Sequence, residues 1–281
     1  MRTFLFGATS ILGWNIARMA KPGTIVPFCN PYIKHDACRD WQRIRIERED
    51  ELTALFESQQ PDVLLHCGGI CDVEKCENNP DWAHTLNVHS MQNILDTLPT
   101  KTRLVYVSSD HVFSGSDVPY VETDAPCPIS VYGETRVKAE SFVLEQRPDA
   151  LIIRPGLAIG PSIDGKTGHL DWLAYRSREG LPITIVEDEY RSAIHVEDLV
   201  ARVRALAASD ITGIRHIAAT RAVSRLELAT YLNEGFKIGA SFSTVTRDTR
   251  DTPHLGRVEL GTVYKDAWAA ALPSAMDLSL C

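Results

Sequence analysis

The sequence predicts an α/β fold: a doubly wound parallel sheet followed by a smaller, mostly helical C-terminal lobe. Short apolar, β-prone runs (TFLF, TIVPF, RIRI, VLLHC, RLVYV, ALIIR) recur through the first two thirds of the 281 residues. Between several of them lie stretches of helical period, such as DELTALFESQ and NVHSMQNILDTL. That alternation builds a parallel sheet with helices on both faces. VLLHC and LVYV are continuously hydrophobic rather than alternating, as strands buried on both sides are.

Thr3 to Phe6 is the first strand, glycines close it at Gly7 and Gly13, and Trp14 to Ala20 continues in helix-compatible residues. The same stretch has some features of a secretory leader, with one basic residue, an apolar run and then Ala-Arg-Met-Ala. A strand, a turn and a helix account for it better. After Arg154 the pattern loosens, and RPGLAIGPSIDGKTG, rich in Gly, Pro and Ser, predicts a long loop leaving the sheet. Beyond it HLDWLAYRSREG predicts a helix, PITIV a strand, VEDLVARVRALAAS an amphipathic helix, GIRHIAA a further strand and LELATYLNEGF a last helix.

A net charge of −8 without a Lys/Arg block argues against nucleic acid as a partner. No apolar run is long enough to cross a bilayer, so no membrane partner is expected. The seven cysteines (29, 38, 67, 71, 76, 127 and 281) are an odd number in a chain large enough to fold without staples. Free thiols in a reducing cytoplasm are the simpler account. The spacing of Cys67, Cys71 and Cys76 fits neither paired zinc ligands nor a cluster motif, so no metal is expected.

GATSILG follows the first strand and opens the first helix, the context a dinucleotide-binding (Rossmann) fingerprint requires. Gly7, Gly13 and the small Ala8 allow the tight turn, and the helix start at Ile11 and Leu12 offers amides to a pyrophosphate. Ser10 stands where a middle glycine is usual, and its hydroxyl is expected to donate to phosphate instead. The second strand, TIVPFCN, ends without the acidic residue that grips the ribose of NAD. The coenzyme is therefore expected to be NADP or NAD with NADP favoured, and Lys34, Arg39, Arg43 and Arg45 are either phosphate ligands or solvated charges. On this reading residues 1–155 form the dinucleotide-binding domain, with 196–220 returning to it. Residues 156–195 and 221–281 form the substrate lobe.

VYGETRVKAE sets a tyrosine before two cations. Four residues advance a helix by about 400°, which returns Arg136 to the face of Tyr132, whereas six leave Lys138 about 120° away. Arg136 is thus the partner. A phenol with an ordinary pKa of about 10 exchanges protons poorly at neutral pH unless a positive charge favours its ionised form, so Arg136 is expected to lower the Tyr132 pKa.

GATSILG, PDVLLHCGG with VEKCENNP and LNV, VYVSSDHVFSG, ETDAPCPISVYGETR, IIRPG and RSAIHVEDLV together resemble the extended short-chain dehydrogenase/reductase superfamily, in its dTDP-4-dehydrorhamnose reductase-like branch. The likeness runs in consistent order through most of residues 1 to 220. It implies a nicotinamide coenzyme and a nucleotide-activated sugar or similar polar carbonyl compound as small-molecule substrate. Ser109 would hold the substrate oxygen, Tyr132 would give it a proton and position 136 would carry the supporting cation. Cys67, Gly68, Gly69, Pro155, Gly156 and Leu157 would line the coenzyme together with Tyr132 and Arg136, Pro155, Gly156 and Leu157 being otherwise only a strand exit, and Asn87 would help organise the site or simply satisfy backbone. Arginine replaces the family's usual lysine at 136. It can hold ribose hydroxyls, but it does not relay a proton.

His111 replaces a tyrosine usual in the branch and is read either as a proton donor or substrate ligand, or as a strand-end residue bonded to backbone. Asp110 falls beside it in the substrate-binding set. Arg191 would meet a substrate phosphate, or else pair with Glu187, Asp188 or Glu189. The helix bearing Tyr132 often forms a dimer surface in relatives, so a homodimer is expected. The leading expectation is an NAD(P)-dependent carbonyl reductase. A non-catalytic dinucleotide-binding regulatory subunit and an NAD-dependent epimerase or dehydratase are the alternatives. A Ser–His hydrolase is disfavoured, because GxSxG is absent.

Overall fold

The structure, a computed structural model, describes residues 1–115 and 119–277; Cys281 lies outside the described residues. The chain forms β1 (Thr3–Phe6), α1 (Ile11–Arg18), β2 (Ile25–Cys29), β3 (Gln42–Arg43), α2 (Glu49–Ser58), β4 (Val63–His66), α3 (Val73–Asn78) and α4 (Pro80–His84). A π-helical turn, Thr85–His89, runs from α4 into α5 (Ser90–Thr97). Then come β5 (Arg103–Val107), α6 (Val131–Gln146), β6 (Leu151–Pro155), β7 (Leu157–Ile159), α7 (His169–Arg178), β8 (Thr184–Val186) and β9 (Tyr190–His195). The order closes with α8 (Val196–Ala207), β10 (Gly213–Ile217), β11 (Ala222–Ser224), α9 (Arg225–Gly235), β12 (Ser243–Val245) and β13 (Arg257–Val258).

Seven parallel strands make the main sheet in the order β10-β6-β5-β4-β1-β2-β3. Period-two alternation divides each strand between two cores. Leu5, Leu65, Val105 and Ile153 pack with Leu12 and Ile16 of α1 and with Leu199 and Val203 of α8. Phe4, Phe6, Leu64, Leu104, Tyr106 and Ile152 face the other way, against α2, α5 and α6 through Leu52, Phe56, Met91, Ile94, Ala139 and Val143. The strand order reverses between β1 and β4, and ligands of open α/β sheets bind outside the strand ends at such a switch point. Gly7 and Gly68 follow those two strands.

The smaller lobe carries more strand than the helical expectation. α7 and α9 share a core with residues of β7, β8, β9 and β11. β9 pairs with β7, β11 and β13, and β8 pairs with β12. The expected long loop after Arg154 thus contains β7, and RSAIH lies in a strand that polar residues disguise, because Arg191 is buried against the carboxylates of Asp110 and Glu189 rather than among apolar neighbours. RIRI contributes only Arg43 to the two-residue β3 at the sheet edge, where only one neighbour supplies hydrogen bonds.

Candidate active site

The glycine turn is shaped by backbone approach. Gly7 has φ +72°, and a Cβ there would lie 2.3 Å from the Gly68 nitrogen; a Cβ at Gly13 would lie 2.2 Å from the Gly7 oxygen. Strand β1, helix α1 and the β4 exit therefore meet only because these positions lack side chains. Ser10 caps α1: its hydroxyl donates to the Gly7 oxygen at 2.9 Å and accepts from the Gly13 nitrogen at 3.1 Å. The proton of this hydroxyl, expected to serve a phosphate, is engaged within the turn in this structure. The amides of Ile11 and Leu12 begin the helix, where the first-turn N–H groups have no intrahelical acceptor. The residues fit a pyrophosphate through those two amides and the helix start. Across them runs the segment 161–168: Asn15 donates to the Pro161 oxygen at 2.9 Å, and a Cβ at Gly168 would meet Ile11 at 2.7 Å.

At the β4 exit, Gly68 is buried and Gly69 has φ +106°. Asn87, in the π turn, accepts from the Ile70 nitrogen at 2.8 Å and donates to the Ile70 oxygen at 3.1 Å and to Thr135 Oγ1 at 2.9 Å. A π turn inserted in an α-helix is a frequent mark of a functional site. Here it brings one side chain to both the β4 exit and α6. Burial pushes the half-buried Cys67 thiol up to about 12, so it is an inert neighbour.

Helix α6 begins at Ser130, whose hydroxyl accepts from the Gly133 nitrogen at 3.1 Å. A Cβ at Gly133 would lie 2.3 Å from the His111 oxygen, which explains the glycine of VYG: α6 starts hard against the SSDH segment. Tyr132, Arg136 and Glu140 lie at i, i+4 and i+8 on one buried face. Lys138 lies elsewhere, its ammonium 5.6 Å from the Phe142 ring centre.

Arg136 is 4 % exposed, and its guanidinium carbon stands 5.1 Å from the Tyr132 ring centre and 5.9 Å from that of Tyr106. It donates to the Tyr106 hydroxyl at 3.0 Å and twice to the Gly68 oxygen at 3.2 Å, and its Nε has no partner. The carboxylate one turn on, Glu140, belongs instead to Arg154, which donates three bonds of 2.6 to 3.2 Å to it. Among the described residues Arg136 is therefore a buried cation without a carboxylate. Such charges are costly and concentrate at functional sites.

Burial raises the Tyr132 pKa above its ordinary value, and Arg136 only partly offsets this. The expected net lowering is corrected: at 5 % exposure, loss of hydration outweighs one stacked guanidinium. The Ser109 side chain lies near enough to the phenol to favour its ionised form, while its hydroxyl donates to Asp110 Oδ1 at 3.4 Å. Ser109 Oγ also accepts from the His111 nitrogen at 3.2 Å.

The polar residues after Ser109 are engaged by Arg191. Asp110 and Arg191 are 1 % and 4 % exposed and form a bidentate pair, one arm of which is 2.6 Å. Glu189, 3 % exposed, gathers Arg191 and Arg225 at 3.4 Å each and His254 at 2.8 Å. Asp110 and Arg191, the expected substrate ligands, are thus held by each other in this structure. The alternative pairing of Arg191 with Glu189 is present, but Asp110 is the dominant partner. His111 Nε2 stands 3.0 Å from Arg191 Nη1, and its ring centre lies 5.1 Å from that of Tyr132. Burial and then Arg191 push His111 down to about 3, so at neutral pH the ring is a neutral acceptor for a guanidinium that only donates.

Pro155 ends β6, a Cβ at Gly156 would lie 2.3 Å from the Ser192 oxygen, and Leu157 opens β7 opposite Ala193. Toward the β2 end, Arg45 pairs with Glu51, and Arg43 donates to the Ile33 and Cys38 oxygens and to Cys29 Sγ. Lys34 and Arg39 remain at the surface, Arg39 beside Asp36 at 2.7 Å. Residues missed in the sequence are Tyr106, legible only as a core position of β5, and Glu140, which extending the i, i+4 spacing of Tyr132 and Arg136 by one step would have found. Among the described residues no group of metal-ligating side chains occurs, and no helix is long and apolar enough to cross a membrane.

Residues 1–253 match the family model described as RmlD substrate binding domain. The chain is 29% identical over 200 residues to methionine adenosyltransferase 2 subunit beta of Danio rerio, an alignment covering 69% of this chain and 61% of that protein. It thus spans about three fifths of that relative's length. It is 26% identical to dTDP-4-dehydrorhamnose reductase of Escherichia coli over 78% of this chain and 73% of that one. Among solved structures, dTDP-4-dehydrorhamnose reductase from Bacillus anthracis in complex with NADP superposes with a TM-score of 0.82 at 22% identity, covering 99% of this chain and 96% of that one. UDP-glucose 4-epimerase from Thermus thermophilus in complex with NAD gives 0.81 at 18% identity, with coverage of 100% and 98%. These neighbours share the fold expected from the sequence, and the coenzymes bound in them are the two expected for this chain.

Proposed function

The chain belongs to the family described as RmlD substrate binding domain, and from that premise we propose that it is an NAD(P)-dependent oxidoreductase that reduces a carbonyl of a nucleotide-activated sugar or a similar polar metabolite. The observation that carries the reading is the stack of Tyr132 on a buried Arg136, with Ser109 beside the phenol, at the sheet's switch point. The nicotinamide coenzyme, when bound, supplies the hydride. Tyr132, held protonated by burial, is the donor to the carbonyl oxygen, and Ser109 fixes that oxygen by a hydrogen bond. A raised phenol pKa suits reduction, which needs the protonated form, better than oxidation, which needs the phenolate. Arg136 supplies charge that favours the phenolate as it forms. Lys34 and Arg39 at the end of β2 support NADP over NAD.

A non-catalytic regulatory role is favoured by one observation: the Arg136 terminal nitrogens are held by Gly68 and Tyr106, where a ribose-binding cation would need them free. Epimerase or dehydratase chemistry is less well supported, because Asp110 and His111, the extra acid–base candidates, are both engaged by Arg191. The deciding experiment follows net NADPH and NADH consumption with a panel of sugar-nucleotide ketones, using wild type and Tyr132→Phe. Reduction that falls at least about a hundredfold in Tyr132→Phe is expected. Tight coenzyme binding without turnover of any carbonyl would favour the regulatory reading, and undiminished turnover in Tyr132→Phe would remove the proposed donor.

A further inference from the structure

Arg136 has an unusual seat. It lies between two phenol rings, and its hydrogen bonds go to a hydroxyl of one of them and to a backbone carbonyl. Tyr106 belongs to β5 and is fully buried; its ring stacks on His66 at 5.7 Å between ring centres, at an interplanar angle of 20°. His66, on β4, is itself buried and sits in register beside Tyr106. Behind the guanidinium there is thus a rigid wall of two aromatic rings fixed by neighbouring strands. A guanidinium favours such a face through cation–π attraction, and the phenol oxygen provides an acceptor at the wall's edge.

We infer that Tyr106 is the positioning residue that makes an arginine serviceable at position 136, its ring and hydroxyl holding the guanidinium flat against the Tyr132 ring. Three features of the geometry support this. An arginine fork is wider than an ammonium and needs two acceptors at set directions, and Gly68 and Tyr106 supply them. A buried cation without a carboxylate would otherwise turn toward water or toward Glu140, but Glu140 is closed off by Arg154. Lysine, with a compact ammonium, has no comparable need of a flat aromatic wall. The functional part of the inference rests on the proposed reductase activity. The seating of Arg136 does not.

The test compares wild type, Tyr106→Phe, Arg136→Lys and the double variant, each checked for folding by its thermal transition. The first readout needs neither coenzyme nor substrate: 15N NMR of the Arg136 guanidinium, whose rotation about the Nε–Cζ bond is slowed when its nitrogens are anchored. Rotation in Tyr106→Phe is expected to be roughly tenfold faster, the effect of one charge-assisted hydrogen bond. The second readout is kcat for carbonyl reduction. Tyr106→Phe should lower it several-fold in the arginine background and leave it unchanged in the Arg136→Lys background. Unchanged guanidinium rotation would overturn the inference, and so would an equal loss of kcat in both backgrounds, which marks a merely structural role. If the wild type reduces no carbonyl, the proposed function fails while the NMR arm still decides the role of Tyr106.

Discussion

Replacing Arg136 with methionine removes the charge beside Tyr132 while keeping an unbranched apolar chain on α6. Taking the 5.1 Å between guanidinium carbon and ring centre as the separation and an effective dielectric constant of about 20, the lost attraction for a phenolate is about 3 kcal/mol. At about 1.4 kcal/mol per pH unit, this raises the Tyr132 pKa by roughly two units. Tyr132 already titrates above its ordinary range because it is buried, and Arg136 is what opposes that shift. The variant phenol should therefore stay protonated to the alkaline limit of the fold. The assay is a pH titration of 13Cζ-labelled tyrosine by NMR, with Tyr132→Phe identifying the resonance. If half of the acidity difference is felt in the transition state, reduction slows about tenfold. Stability should change little, since two lost hydrogen-bond partners are offset by relief of a buried, unpaired cation. A Tyr132 midpoint that moves by less than about half a unit in a folded variant would refute the electrostatic coupling.

Two further outcomes follow from buried charge elsewhere. Glu140→Gln leaves Arg154, 1 % exposed, with the face of Phe113 and no counter-ion; urea unfolding should show a loss of about 3–5 kcal/mol, and adding Arg154→Met should restore much of it. A loss below about 1 kcal/mol would mean that water reaches the freed guanidinium. His66 and His111 are both held neutral down to about 3, chiefly by burial. Their folded pKa values lie below the unfolded one of about 6.5, so the unfolded chain binds more protons and stability is lost as pH falls from about 6.5 toward 3. His66→Gln should flatten that slope by up to about 1.4 kcal/mol per pH unit, and an unaltered slope in equilibrium unfolding would count against a neutral buried His66.

The parallel sheet and the glycine turn were legible in the sequence because they depend on local signals: apolar runs of strand length, helical periods between them, and glycines where backbones touch. The pairing of Tyr132 with Arg136 was legible for the same reason, as helix geometry converts a spacing of four into a shared face. The net direction of the Tyr132 pKa was not, since it depends on how much water the assembled sheet, π turn and smaller lobe exclude. Asp110 and Arg191, 81 positions apart, read as substrate ligands because nothing local shows that each meets the other. Long-range partners decide whether a charged side chain is available for chemistry or used up within the fold. Asp110 and His111 are both held by Arg191, which only the tertiary structure brings to them.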